Sequence, residues 1–203
     1  MNKIGRLLAL ASVVYLALSV PASAADKPIE GRKLLLRDPV NPGQRRLQFI
    51  SKDLNITFGS NGDSDTPTTN GASVLVFNPV TSECQCMVLP ASGWKLGSLG
   101  KTYAYHDVAV VSSAIKVVIM KAQKLKIVGV GAGLSGVTLN ETQQDEIAVH
   151  YTSGNGNKLC ADFSGLSIVR NQPGAFLALN APPPGACAPE PAACTPCVPP
   201  IVP

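Results

Sequence analysis

Aromatic residues are scarce in this 203-residue chain, which has one Trp, four Tyr and five Phe. Its composition therefore does not support a typical aromatic-rich binding surface. A strong excess of one charge is also lacking. Seventeen basic against thirteen acidic residues give +4, and losing Lys3 and Arg6 with a cleaved leader would leave +2. That is too little to imply nucleic acid as a partner. After residue 20 no apolar run approaches the roughly 20 residues that span a bilayer, so the mature chain is expected to be soluble, without a membrane span. No Gly-x-Ser-x-Gly elbow is present, which removes one common hydrolase frame.

The first informative feature is the N-terminus. Lys3 and Arg6 precede an apolar run from Leu7 to Val20, and Pro21-Ala22-Ser23-Ala24 supplies small residues before a cleavage point. This reads as a signal peptide over residues 1–24, with a mature chain from Ala25 that is secreted or periplasmic. No Cys follows the cleavage point, so a lipoprotein anchor is not indicated. The mature length suits one domain with a sizeable core.

Six cysteines follow, namely Cys84, Cys86, Cys160, Cys187, Cys194 and Cys197. An even count in an exported chain reads as disulfides, with fifteen connectivities open. Cys84 and Cys86 share one face of a strand and so reach different partners more easily than each other. One bridge inside the domain, with one or more tying the tail back, is the expected arrangement.

Between residues 31 and 181 the chain is a series of short β-like runs broken by turn residues. Strands are expected at 33–37, 46–50, 72–77, 84–89, 103–105, 108–111, 115–120, 124–128, 147–151, 158–163 and 176–179. Asn70-Gly71 marks a turn before the third of these, and Ala122-Gln123 the tip of a hairpin. One short helix is expected from Asn140 to Glu146, with Asn140 as its cap. The implied fold is all-β, an antiparallel sandwich of jelly-roll or Ig-like type over 25–181. Residues 182–203 are almost wholly Pro, Ala and Cys, and are expected to form an extended or disordered tail without a core.

Several motifs suggest chemistry. Gly131-Ala132-Gly133-Leu134-Ser135-Gly136 follows a strand and matches a dinucleotide fingerprint. That chemistry needs a helix directly afterwards, whereas Val137-Thr138-Leu139 follows, so a Gly-rich bend is expected and no cofactor. Cys194-Thr195-Pro196-Cys197 has the CxPC form of thiol oxidoreductases but lacks a following helix to activate it, so a structural role is expected. A zinc site combining it with Cys84 and Cys86 is disfavoured for an exported chain. Asn61, Asp63 and Asp65 stand at the first, third and fifth places of a calcium loop. Thr66 and Ala72 break the EF-hand pattern, leaving a weaker calcium site or a solvated turn.

His106-Asp107 and His150 are the candidates for hydrolysis, without a recognisable nucleophile. Trp94, with Tyr103 and Tyr105, is either a sugar-stacking platform or a plug in the core, and the second is the default. Lys116, Lys121, Lys124 and Lys126 cluster on one hairpin, as the wet face of a strand or as a contact for an anionic glycan or envelope surface. Asn55-Ile56-Thr57 and Asn140-Glu141-Thr142 are glycosylation sequons.

Gly31 to Asp38, Arg45 to Asp53, Gly71 to Pro79, Leu89 to Trp94, Cys160 to Gly165 and Ala175 to Pro184 together resemble a module of exported, myxobacteria-like proteobacterial proteins. The resemblance implies a secreted β-domain and carries no catalytic residues. The expectation is therefore a non-enzymatic structural or interaction module at the cell surface or outside the cell, its partner a glycan or another surface protein. The alternatives are a carbohydrate-binding module and, third, a secreted hydrolase.

Overall fold

The computed structural model describes residues 26–57, 59, 65–107, 114–140, 144–154, 156 and 158–197. The leader, Asn61 and Asp63, the expected strand 108–111 and residues 198–203 lie outside these.

The described chain is mostly β, arranged in two sheets. The smaller sheet has the order β1–β11–β10–β4–β5, from β1 (Asp26–Pro28), β4 (Ala72–Phe77), β5 (Cys84–Leu89), β10 (Glu146–Ser153) and β11 (Lys158–Ser164). The larger has the order β12–β13–β2–β3–β9–β8–β7–β6. Its strands are β2 (Gly31–Arg37), β3 (Arg46–Ser51), β6 (Trp94–Leu96), β7 (Thr102–His106), β8 (Ile115–Lys121), β9 (Lys124–Val130), β12 (Ile168–Gln172) and β13 (Ala175–Ala181). Every pairing is antiparallel except that of β1, which lies parallel to β11. Pro28 ends β1 at the sheet edge, where its missing N–H costs no ladder bond.

Local chemistry accounts for most of these elements. Gln123 adopts a left-handed φ of 62° at the β8–β9 tip, the conformation a tight hairpin demands. β4 and β5 pair in register from Ala72–Leu89 to Phe77–Cys84, joined by a turn in which Asn78 Oδ1 accepts from the Val80 and Thr81 N–H groups. The strands β1, β6 and β12 carry no clear alternation and were not expected from pattern. A four-residue helix, Pro67–Asn70, was likewise not expected.

The helix expected from Asn140 to Glu146 is not formed at its described C-terminal end. Gln144 and Asp145 are outside any helix, and Glu146 opens β10. The reason is a side-chain clamp. Asn171 of β12 accepts from the Gln144 N–H at 2.7 Å and donates to the Gln144 carbonyl at 2.9 Å, holding that backbone as a neighbouring strand would. Residues 141–143 lie outside the described residues.

Buried residues of both sheets belong to one cluster, in which Phe49 of β3 meets Phe163 of β11 edge to face at 6.1 Å. A second, smaller cluster lies on the opposite face of the small sheet. Leu75, Phe77 and Ala148 are buried there with Cys197, and Ala188 packs against them. All six residues of β4 are therefore buried, Ala72, Val74 and Val76 in the first cluster, Leu75 and Phe77 in the second, with Ser73 donating to the Cys197 carbonyl. Residues 182–197 cover that face. The described tail is extended, one of the two forms expected of it, and through Cys197 and Ala188 it also packs on an apolar surface.

Candidate functional site

Three disulfides fasten the lid. Cys84 joins Cys194, Cys86 joins Cys197, and Cys160 joins Cys187. Cys84 and Cys86 reach separate partners, as their spacing implies. No bridge lies wholly inside the domain, contrary to expectation, because all three tail cysteines are used to pin the tail. The two cysteines of the CxPC motif likewise pair with β5 and not with each other, so the motif has no dithiol to cycle.

The densest group of titratable side chains sits under this strap. On β10, His150 stands opposite Cys160 of β11 in register, and alternation puts both on the face turned from the main core. The Cys160–Cys187 bridge brings the tail down, and three residues later Glu190 reaches His150, with Oε1 2.8 Å from Nδ1. Lys158 Nζ lies 3.2 Å from Glu190 and 3.2 Å from Asp26, extending a chain of alternating charge to the N-terminal strand. The Phe77 ring meets the His150 ring edge-on at 4.9 Å.

The electrostatics follow from these contacts. The hydrogen bond from His150 holds the Glu190 carboxyl below the usual range, with Lys158 adding to it against the cost of burial. Burial pulls Lys158 down, yet its hydrogen bonds and charge contacts with Asp26 and Glu190 outweigh this and leave it raised. Asp162, on the same face of β11, is pushed up to about 6 by burial and by the charge of Glu146, with His150 opposing. Its Oδ1 is buried without a hydrogen-bond partner.

The two carboxyls act on stability with opposite sign. Glu190, depressed on folding, contributes stability above its unfolded value that is lost as pH falls through its folded one. Asp162, raised on folding, contributes at low pH and loses that contribution as pH rises from about 4 to about 6. Asp162→Asn is therefore expected to stabilise the protein at pH 7.5 and leave it nearly unchanged at pH 4. Urea titrations at the two pH values check this, and equal effects at both would contradict it.

Two chemistries can be weighed against this geometry. A ring nitrogen of His150 and the Sγ atoms of Cys160 and Cys187 lie within 4.8 Å of one another. Two thiolates and an imidazole would suit zinc, but these sulfurs are bonded to each other and have no thiolate to offer. Hydrolysis needs a nucleophile beside the histidine. His150 has a carboxylate partner, but among the described residues its buried Nε2 has no hydrogen-bond partner and no hydroxyl is placed against it. His106 is exposed at the end of β7. What the contacts do is hold Glu190 of the strap against His150 and Lys158.

The remaining sequence candidates are dispersed. Trp94 is buried at 5 % exposure, and Tyr103 and Tyr105 at 1 % each. Trp94 packs at 5.5 Å against Tyr105 within the core. A pyranose needs an open ring face, so these three residues do not make the sugar platform considered from sequence. Gly131 to Gly136 forms a bend after β9 with no helix behind it, held where Gln85 donates to the Gly133 carbonyl and accepts from the Gly136 N–H. Asp65 is described, half-buried beside Ser153, while Asn61 and Asp63 of the same loop lie outside the described residues.

Glu190 and Lys158 were missed from sequence. Glu190 carried a signal, being the one charged residue from 182 to 203. A lone charge in an apolar tail marks a docking point when that tail is pinned. No family model matches this chain, and neither does any curated protein or solved structure.

Proposed function

We propose that this chain is an exported, non-enzymatic β-domain that serves as an oxidatively locked interaction module at the cell surface or in the periplasm. The observation that carries the reading is the pairing of all six cysteines within the chain, each bridge joining the tail to the small sheet. Disulfides of this density persist in oxidising compartments and are rare in reducing ones. Among the described residues no helix is long and apolar enough to cross a membrane, and the leader-like first 24 residues supply a route out of the cell.

Within this reading the two sheets stack as a β-sandwich, supported by the single cluster of buried residues drawn from both. The resemblance to exported myxobacteria-like modules implies a secreted β-domain as well. The hydrolase reading has a histidine–carboxylate pair but no adjacent hydroxyl, and the glycan reading has lost its aromatic face.

Expression of the full chain in a Gram-negative host, followed by fractionation and N-terminal sequencing, tests the reading. The expected product is extracytoplasmic, begins at Ala25 and has no free thiols. A cytoplasmic product that keeps its leader and its thiols would overturn it.

A further inference from the structure

The modest net charge conceals a strong segregation. Strand β2 carries Arg32, Lys33 and Arg37, β3 carries Arg46, and β12 carries Arg170. Lys95 on β6, Lys116 and Lys121 on β8, and Lys124 and Lys126 on β9 complete ten cations on the large sheet. None of its eight strands contains Asp or Glu. The eleven acidic residues among the described ones lie outside these strands.

The side of this sheet turned from the core is ordered as well. Residues alternate along a strand, so Lys33, Ile50, Lys126 and Ile119 face away from their buried neighbours Leu34, Phe49, Ile127 and Val118. Register then sets them in rows. One row runs Leu179, Lys33, Ile50, Lys126, Ile119, alternating apolar and cationic across five strands, and ends through Ala104 at Lys95. The adjoining row is apolar at its middle, with Leu177, Leu35, Val128 and Val117 half-buried and one Gln among them. Paired cations border the rows, Lys121 with Lys124 on one side and Arg37 with Arg46 on the other. Among the described residues none of these face cations makes an ion pair.

We propose that this face is the docking surface of the module and that its occupant is an anionic lipid surface. The inference rests on the reading of the chain as an exported interaction module and names its partner. Cations beside an anionic leaflet gain from its surface potential, and long Lys stems lie along apolar neighbours while their ammonium groups reach phosphate. The half-buried Leu, Ile and Val side chains between them meet the acyl boundary, which a water-soluble polyanion does not provide. A second copy of the chain is excluded as occupant by charge, since the face would oppose its own cations.

The test uses the mature protein with its bridges intact, sedimented with vesicles of phosphatidylcholine alone or mixed equally with phosphatidylglycerol. Binding is expected to the mixed vesicles only, falling as salt is raised. Each cation near the surface contributes about fivefold in affinity, so Lys33→Gln with Lys126→Gln is expected to weaken binding roughly 25-fold. Lys27→Gln, on the small sheet, is expected to leave it unchanged, and Leu35→Gln with Ile119→Gln to remove the part that survives high salt. The proposal fails if neither vesicle binds, if Lys27→Gln weakens binding as much as the face variant, or if only dextran sulfate binds. An exported, fully bridged protein that ignores vesicles would sink this proposal while leaving the exported-module reading standing.

Discussion

Removing both bridges between β5 and the tail is expected to cost far more than removing either one. Each closes a long loop, with sequence separations of 110 and 111 residues. They are not independent. With Cys84–Cys194 intact, the chain between Cys86 and Cys197 is already shortened to a loop of a few residues. Chain-entropy reasoning then gives about 2 kcal/mol for losing one bridge and about 7 kcal/mol for losing both. A domain of ordinary stability, about 5–15 kcal/mol, survives the first change but loses much of its margin to the second. The second also frees the tail to leave Leu75, Phe77 and Ala148, which were buried beneath it. The first change should lower the melting temperature by about 4–8 °C for a chain of this size. Thermal melts of the Cys86→Ser/Cys197→Ser variant and of the variant with all four cysteines replaced give the comparison. Equal losses in the two would contradict a shared strap.

Gly71→Ala is expected to destabilise by about 3–5 kcal/mol, among the largest effects of a single methyl group in this chain. Gly71 ends the short helix and starts β4 with φ 70° and ψ −160°, a region that is essentially glycine's alone. An added Cβ would also lie 2.5 Å from the backbone carbonyl oxygen of Leu89, on the strand paired with β4. Movement there would strain the hydrogen bond by which Gly154 N–H donates to the Gly71 carbonyl. Gly100 is the control. It too has positive φ, 66°, but nothing lies within 4 Å of its added Cβ. Gly100→Ala should therefore cost only the backbone term, about 1–2 kcal/mol. Urea titration of both variants measures the difference, and equal costs would show that the Leu89 contact has no effect.

Features that a few adjacent residues determine were legible in the sequence. Asn70-Gly71, Ala122-Gln123 and the alternation of Leu125, Ile127 and their polar neighbours each gave a local element that the fold contains. The helix beginning at Asn140 was misread because its competitor lay about thirty residues downstream, in the Asn171 amide that captures Gln144. What the tail covers was not legible for a related reason. Composition describes what a segment can bury by itself, whereas residues 182–197 cover a surface made by β4 and β10 and are held there covalently. Pairing of the six cysteines depends on which strands are neighbours, and spacing settled only that Cys84 and Cys86 part company.

Charge shows the same limit. A sum over the chain gives a nearly balanced molecule, which argued only against nucleic acid as a partner. Strand order shows instead that ten cations gather on the large sheet, whose strands hold no acid, a property that belongs to the sheet and not to any stretch of sequence. Likewise Trp94, Tyr103 and Tyr105 alternate inward only once β6 and β7 have a core to face.

The central claim is that a proline-rich tail is stitched across the outer face of the small sheet. Peptide mapping of the purified protein under non-reducing conditions tests it most directly. Three cross-linked pairs are expected, Cys84 with Cys194, Cys86 with Cys197 and Cys160 with Cys187. A Cys194–Cys197 pair within the CxPC motif, or a Cys84–Cys86 pair within β5, would mean that the tail is not held there.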